Sequence, residues 1–308
     1  MPSSLSRRRP SSASRSLSRP PLRRDWPLLA AATALLVALW LPPLPAPRAV
    51  HRYAVTFDLS QSMGVEDMIV GGVPSSRLEF ARAAAASLLA ELPCGSHIGW
   101  SAFTERRTLT LVTPLEVCAH YDALLSALEL VDGRMRWGEA SGVGKGLFQS
   151  LRAASELGDG TAVVFLTDGE ETPPLGAGRS GLPKGADELG VDGLLAGVGG
   201  YRPAPIPRVD AEGRRVGWWR QSDITQGASG ELLSRLDEPH LLELARLAGL
   251  GYARVAEPGG LFAALDGSGL ARTDRVPSDF RWLPAALALL ALGWRFRPGI
   301  ASRGDTGG

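Results

Sequence analysis

Cysteine is scarce in this chain: Cys94 and Cys118 are the only two among 308 residues. That excludes a Cys-rich zinc site built from this chain alone and permits a single disulfide. Histidine is scarce too. His51, His97, His120 and His240 are scattered without metal-ligand spacing, so each reads as a surface or capping residue. No serine sits in Gly-x-Ser-x-Gly, which leaves a Ser-His-Asp triad unsupported. Lysine is limited to Lys145 and Lys184. Neither charge sign dominates. A formal net charge of +1 argues against a nucleic-acid binder, and no short internal repeat stands out.

What is present is apolar. At 44% hydrophobic the chain can build one good-sized core plus anchors. Residues 1–25 carry seven arginines among Ser and Pro, which predicts a disordered basic tail. Trp26–Leu44 follows as an almost uninterrupted apolar run without a charge, flanked by Trp26 and Trp40. Residues 26–46 are therefore expected to form a transmembrane anchor, with the basic flank in the cytoplasm. The competing reading is a cleaved secretory signal, of twin-arginine type from Arg23-Arg24. A second, shorter apolar run, Trp282–Trp294, has Arg281 before it and Arg295, Arg297 and Arg303 after it. Residues 280–297 are expected as a second transmembrane helix, the plainer alternative being a buried or interfacial helix. Residues 298–308 would then be a cytoplasmic tail. The region between the anchors would face the periplasm of a bacterial inner membrane.

That region, expected as one domain over residues 50–268, alternates strand and helix signals. Arg52–Phe57 reads as a first strand and Gly64–Ser76 as a long loop. Arg77–Leu92 reads as a helix whose stripe is Ala81, Ala85, Leu88, Leu89 and Leu92, stopped by Pro93. Ile98–Phe103 and Arg107–Val112 read as a hairpin, Pro114–Leu130 as a second helix, and Val143–Leu157 as a third. Strands are expected at Thr161–Thr167, Val191–Val198 and Gly251–Val255, and a helix at His240–Ala248. Such alternation implies an α/β, doubly wound, mostly parallel sheet with one antiparallel edge strand.

Ligand sites in such sheets lie at the carboxyl ends of the strands, where strand order reverses. Tyr53–Met63 ends its apolar run on Asp58 and then offers Ser60 and Ser62. The run Ala162–Thr167 ends at Asp168-Gly169, and Ser141 lies in a small-residue turn that opens a helix. Asp58, Ser60, Ser62, Ser141 and Asp168 form an all-oxygen set suited to a hard cation. Asp and Ser also serve commonly as turn and cap residues. The acids Glu170, Glu171, Asp187 and Glu188 read as a solvated loop beside the site. Trp218 and Trp219 read either as a partner surface or as core and edge contacts of one strand.

At these residues the chain resembles the von Willebrand factor A-type (vWA) domain. Its metal-ion-dependent adhesion site is written Asp-x-Ser-x-Ser, a Thr, and a later strand-end Asp. Ser141 stands where the family usually has Thr. The resemblance implies a Rossmann-like vWA fold and a divalent ion, Mg²⁺ first and Mn²⁺ or Ca²⁺ as alternatives. Ser60 and Ser62 would bind it directly, Asp58 and Asp168 through water, and Ser141 directly in one of two states. The remaining position would take an acidic side chain of a partner protein.

The motifs Ser76-Arg77-Leu78-Glu79-Phe80-Ala81, Leu92-Pro93-Cys94-Gly95-Ser96, Phe103-Thr104-Glu105-Arg106 and Pro114–His120 resemble MxaL-like membrane-anchored vWA accessory proteins of methanol-dehydrogenase clusters. This resemblance implies maturation of, and metal insertion into, a periplasmic quinoprotein dehydrogenase. Apo methanol dehydrogenase, other vWA accessory proteins and a MoxR-type ATPase would be the partners. The alternative is a Bat-type aerotolerance vWA protein, also paired with a MoxR-type ATPase. An enzyme is the contrasting class. Haloacid-dehalogenase-type phosphatases carry Asp-x-Asp where this chain has Asp58-x-Ser60, and neither lysine is placed to serve one. The chain is therefore expected to bind rather than to catalyse. The expected strand directions put Cys94 and Cys118 at the end of the sheet away from Asp58. In an oxidising compartment they predict a disulfide, the alternative being two separate buried thiols.

Overall fold

The computed structural model describes residues 26–136, 138, 140–176, 179–210, 212–223 and 230–297. Both expected tails, 1–25 and 298–308, lie outside the described residues. The chain divides into two compact units, one of Met1–Ala46 with Pro277–Gly308 and one of Pro47–Val276.

In chain order, helix α1 (Trp26–Trp40) is followed by strands β1 (Leu44–Val50) and β2 (Arg52–Asp58). A hairpin of β3 (Met68–Val70) and β4 (Val73–Ser75) leads into α2 (Arg77–Glu91). Next come β5 (His97–Thr104), β6 (Arg107–Glu116), α3 (Tyr121–Glu129), α4 (Val143–Leu157), β7 (Ala162–Thr167) and β8 (Gly193–Gly197). Four short strands follow: β9 (Ala204–Pro205), β10 (Pro207–Val209), β11 (Arg215–Trp218) and β12 (Leu233–Ser234). The chain continues through α5 (Glu238–Ala248), β13 (Gly251–Arg254), α6 (Gly260–Asp266), β14 (Arg272–Ser278) and α7 (Trp282–Arg295).

The larger unit is a mixed α/β fold around a six-stranded sheet of order β13-β8-β7-β2-β5-β6. All neighbours are parallel except β5 and β6. Side chains alternate across it, as period two requires. Val164 and Leu166 join Tyr53, Val55 and Phe57 in a core under α2, α3 and α6, whereas Val163 and Phe165 join Phe103 and Leu195 under α4 and α5. Helix α2 starts on a capping box. The Ser76 side chain accepts from Glu79 N, and the Glu79 carboxylate accepts from Ser76 N at 2.8 Å. From β2 the chain first builds outward to β5 and β6, then crosses through α4 to β7 on the other side of β2. Strand order thus reverses between β2 and β7, so Asp58 and Asp168 stand at the switch point.

Several elements differ from expectation. The residues 64–76 are not only loop, because β3 and β4 pair across Gly71-Gly72. The helix expected from Pro114 starts at Tyr121, since β6 runs on to Glu116 opposite His97. A proline is tolerated there because β6 is the sheet edge. Strands β1 and β14 were not expected as strands; they pair in a two-stranded sheet that lies, Val50 apart, outside residues 50–268.

In the smaller unit the helices are shorter than the expected spans. No helix among the described residues is long and apolar enough to cross a membrane. Helix α1 has 15 residues and α7 has 14, about 22 and 21 Å at the α-helical rise against a hydrocarbon core of about 30 Å. Within 26–46 the helix covers only Trp26–Trp40, because Pro42 and Pro43 end α1 there and the chain turns extended at Leu44. The range 280–297 is helical only over Trp282–Arg295. Arg281 Nε donates to the Leu41 carbonyl at 3.1 Å. The end of α1 thus meets the start of α7, and the two helices run antiparallel. Trp26, Leu36, Leu39, Trp40, Leu290 and Trp294 are all exposed.

Candidate metal centre

Each predicted ligand is placed by a strand end or by a loop pinned to the core. Asp58 closes β2 and is fully buried. Its Oδ1 accepts from Ser60 N at 2.8 Å and its Oδ2 from Thr167 Oγ1 at 2.6 Å. After it the chain alternates between core and site. Leu59, Met63 and Val65 are buried apolar anchors, and the hydroxyls of Ser60 and Ser62 lie 3.0 Å apart. Asp168 follows β7 and is also fully buried. Its Oδ1 accepts from Glu170 N at 3.1 Å, and its Oδ2 accepts from Arg77 Nη1 at 2.7 Å. Gly169 turns at φ +79°, and a Cβ there would come 2.7 Å from Leu241, so the turn that presents Asp168 requires glycine.

Ser141 is held by backbone alone. Its N–H donates to the Thr172 carbonyl at 2.9 Å, its carbonyl accepts from Thr172 N at 2.8 Å, and Gly142 N donates to the Glu105 carbonyl at 2.6 Å. Glu105 is the tip of the β5–β6 hairpin and adopts φ +56°, an uncommon conformation outside glycine. The hairpin tip and the segment after β7 therefore clamp the Ser141 turn from two sides. The Ser141 Oγ itself is buried and has no hydrogen-bond partner among the described residues, and the same holds for Thr104 Oγ1 at the end of β5. A buried hydroxyl left unpaired is costly.

Burial pushes the Asp58 carboxyl up, to about 7, with the neighbouring Asp168 as the second cause and the Thr167 and Ser60 hydrogen bonds opposing them. Glu170 is likewise raised, first by burial and then by Asp168, and its carboxylate accepts from Arg235 N at 3.0 Å. Glu171, raised by burial, accepts from Gly144 N at 3.0 Å at the start of α4. These two acids are folded into the structure rather than solvated, whereas Asp187 and Glu188 lie in a short exposed turn.

The donor set fits a hard cation. Three buried hydroxyls, one of them unpartnered among the described residues, and two buried carboxylates, of which Asp58 is raised by burial and by its neighbour, suit a positive charge. The sulfurs of Cys94 and Cys118 also lie near the Glu116 carboxylate, but the two cysteines are joined in a disulfide, so they offer no thiolates. His240 is set between the carbonyls of Gly169 and Ser180 at 2.8 and 3.1 Å. Trp218 and Trp219 carry the guanidinium groups of Arg215 and Arg208 at 4.9 and 5.1 Å from their rings.

Two residues of the site escape the motif. Thr167 orients Asp58, and Arg77 pairs with Asp168. Arg77 had a legible signal: extending the apolar stripe of α2 one turn back from Ala81 lands on it, so its place on the helix is a core place.

No family model matches the chain, and no curated protein matches it either. Among solved structures it is similar to an aerotolerance-related membrane protein of Bacteroides fragilis. The identity is 21%, covering 70% of this chain and 96% of that one with a TM-score of 0.52. The conserved hypothetical protein BatB of Bacteroides thetaiotaomicron gives 21% identity, 70% and 97% coverage and a TM-score of 0.52. A von Willebrand factor type A protein of Catenulispora acidiphila is 13% identical over 80% of this chain and 50% of that one, with a TM-score of 0.41. The sheet order and the helices on both its faces fit a von Willebrand factor A-like fold, and the first two likenesses show that this chain shares its fold with those two proteins.

Proposed function

We propose that this chain is a metal-dependent protein-binding module, attached to a membrane through its helix pair. Ser60, Ser62 and Ser141 would hold a divalent ion, Mg²⁺ first, with Asp58 and Asp168 behind them. Such an ion offers an electrophilic position to an external carboxylate. The observation that carries this reading is the buried Ser141 hydroxyl, unpartnered in a loop clamped beside two buried carboxylates. Ser60 lines a groove of about 550 Å³ that also includes Leu78, Arg82, Arg134, Val209 and Arg215, room for a partner's acidic side chain and its neighbours. Catalysis by Asp58 is disfavoured, because both its oxygens accept hydrogen bonds and burial favours its neutral form. The exposed apolar surfaces of α1 and α7 favour a lipid setting for the smaller unit, with the vWA-like unit on the periplasmic side as the flanking arginines suggest.

For the cellular role, the fold shared with an aerotolerance-related membrane protein and with BatB favours a Bat-type setting beside a MoxR-type ATPase. Maturation of methanol dehydrogenase rests on the sequence resemblance alone. The test of the module is calorimetric. The purified protein should bind Mn²⁺ and Mg²⁺, and Ser60→Ala and Ser62→Ala should each weaken binding about tenfold or more. Combined, they should do little more than either alone, because they act on one ion. Additive small losses, or none, would refute the assignment.

A further inference from the structure

Arg77 is a fully buried guanidinium with every donor committed. Its Nε donates to Asp67 at 3.0 Å and its Nη2 to Asp67 at 2.7 Å. Its Nη1 donates to Asp168 at 2.7 Å and to Ser234 Oγ at 2.6 Å, and Nη2 also reaches the Ser234 carbonyl at 3.3 Å. Asp67 in turn accepts from Gly200 N at 2.9 Å. Gly199 closes over the group. Its φ is +136°, and a Cβ there would lie 2.9 Å from Arg77 Nε.

This placement is expensive. Arg77 is the first residue of α2, where the helix dipole disfavours a cation, and it is out of water, where an ion needs full compensation. Asp67 alone could pair it. Instead the guanidinium is divided between Asp67, outside the centre, and Asp168, inside it.

We propose that Arg77 sets the charge of the metal centre, lowering the negative field on the ion so that the chain holds the ion less tightly and the ion takes an external carboxylate more readily. This rests on the metal-binding reading above and adds a sign to it. Asp67 is the counterweight. Neutralising it should throw the whole guanidinium charge onto Asp168, and removing both should free Asp168 for the ion.

The test uses the full chain, Mn²⁺ by calorimetry, and acetate as the carboxylate probe, read by the relaxation of water protons on the Mn²⁺-loaded protein. Asp67→Asn should weaken Mn²⁺ binding about three- to tenfold and strengthen acetate binding. The double variant Arg77→Met with Asp67→Asn, which leaves Asp168 as a buried carboxylate that the ion can pair, should do the reverse, binding Mn²⁺ more tightly than the unaltered protein and acetate more weakly. If the double variant does not fold, Asp67→Asn decides alone, because opposite movements of metal and acetate are not what loosened packing gives. Loss of both affinities together, or movement of neither, would make Arg77 merely structural and leave the metal reading standing. No Mn²⁺ binding by the unaltered protein would overturn both.

Discussion

The two ends of the central sheet treat polar groups in opposite ways. At the end where β5 begins, buried polar groups answer one another. His51 N donates to Ser96 Oγ at 3.1 Å, and the His51 ring lies 2.8 Å from the Tyr53 hydroxyl. The Glu116 carboxylate takes N–H groups from Gly95 and Ala119, both at 2.6 Å. Burial pushes that carboxyl up, but the N–H groups of Gly95, Ala119 and Cys118 outweigh it and hold it below its usual value. The disulfide Cys94–Cys118 closes the same corner, with Cα atoms 5.2 Å apart. At the other end, where β2 and β7 finish, two buried carboxylates lie close together and two buried hydroxyls have no partner among the described residues. One end is finished as protein; the other, on the proposed reading, is finished by an added ion. The difference separates a structural polar cluster from a binding one more sharply than residue type does, because Ser, Asp and Glu occur at both.

The largest expected effect tests whether the open end wants a positive charge. In the metal-free protein Asp58 has its carboxyl raised to about 7, against roughly 4 in an unfolded chain. Between those values the folded state binds more protons than the unfolded state, so stability falls as pH rises. The Asp58 contribution is fully present below about 4 and gone above about 7. With chelator, the melting temperature should therefore drop from pH 5 to pH 8, and saturating Mn²⁺ should remove most of that drop by replacing the proton. Asp58→Asn, which mimics the protonated form, should flatten the profile and abolish Mn²⁺ binding. An unchanged pH profile in Asp58→Asn would mean that the two carboxylates are not frustrated.

The second effect tests the closed end. The disulfide encloses a loop with a sequence separation of 24, for which loop closure predicts about 3 kcal/mol. Replacing both cysteines by serine should lower unfolding free energy in urea by about 2–4 kcal/mol while leaving Mn²⁺ affinity unchanged. A fall in metal affinity would join the two ends that the comparison separates.

Much of this was legible in the sequence, for a local reason. Strands β2, β5 and β7 are apolar runs with punctuated ends, α2 is capped by Ser76 and stopped before Pro93, and α4 runs from Val143 to Leu157 as its pattern predicts. Asp58, Ser60, Ser62 and Asp168 follow strand ends directly, so their meeting point is set by parallel pairing and the switch in strand order. What was hidden is non-local. Pairing of β1 with β14 joins segments more than two hundred residues apart, and the prolines in both strands mask them. The apolar run after Trp26 reads as a span by composition, yet Pro42 and Pro43 cut the helix. The pairing of Arg77 with Asp168 crosses 91 positions and carries no motif.

The smallest effect applies one substitution to both ends and expects opposite signs. Ser96 and Ser141 are both buried. Ser96 Oγ accepts a backbone N–H; Ser141 Oγ has no partner among the described residues. Ser96→Ala leaves the His51 N–H unanswered and should cost about 1 kcal/mol or somewhat more. Ser141→Ala removes a hydroxyl that is desolvated for nothing in the metal-free state and should gain about 0.5–1 kcal/mol there. Once Mn²⁺ is added the order should invert. Ser141→Ala should lose metal affinity about tenfold and with it the ligand-linked stabilisation, whereas Ser96→Ala should be stabilised by Mn²⁺ as much as the unaltered protein is. Urea titrations of the two variants, each with chelator and with saturating Mn²⁺, give four free energies. Equal losses in both variants under both conditions would mean that the Ser141 hydroxyl has a partner in solution and that the open end is closed after all.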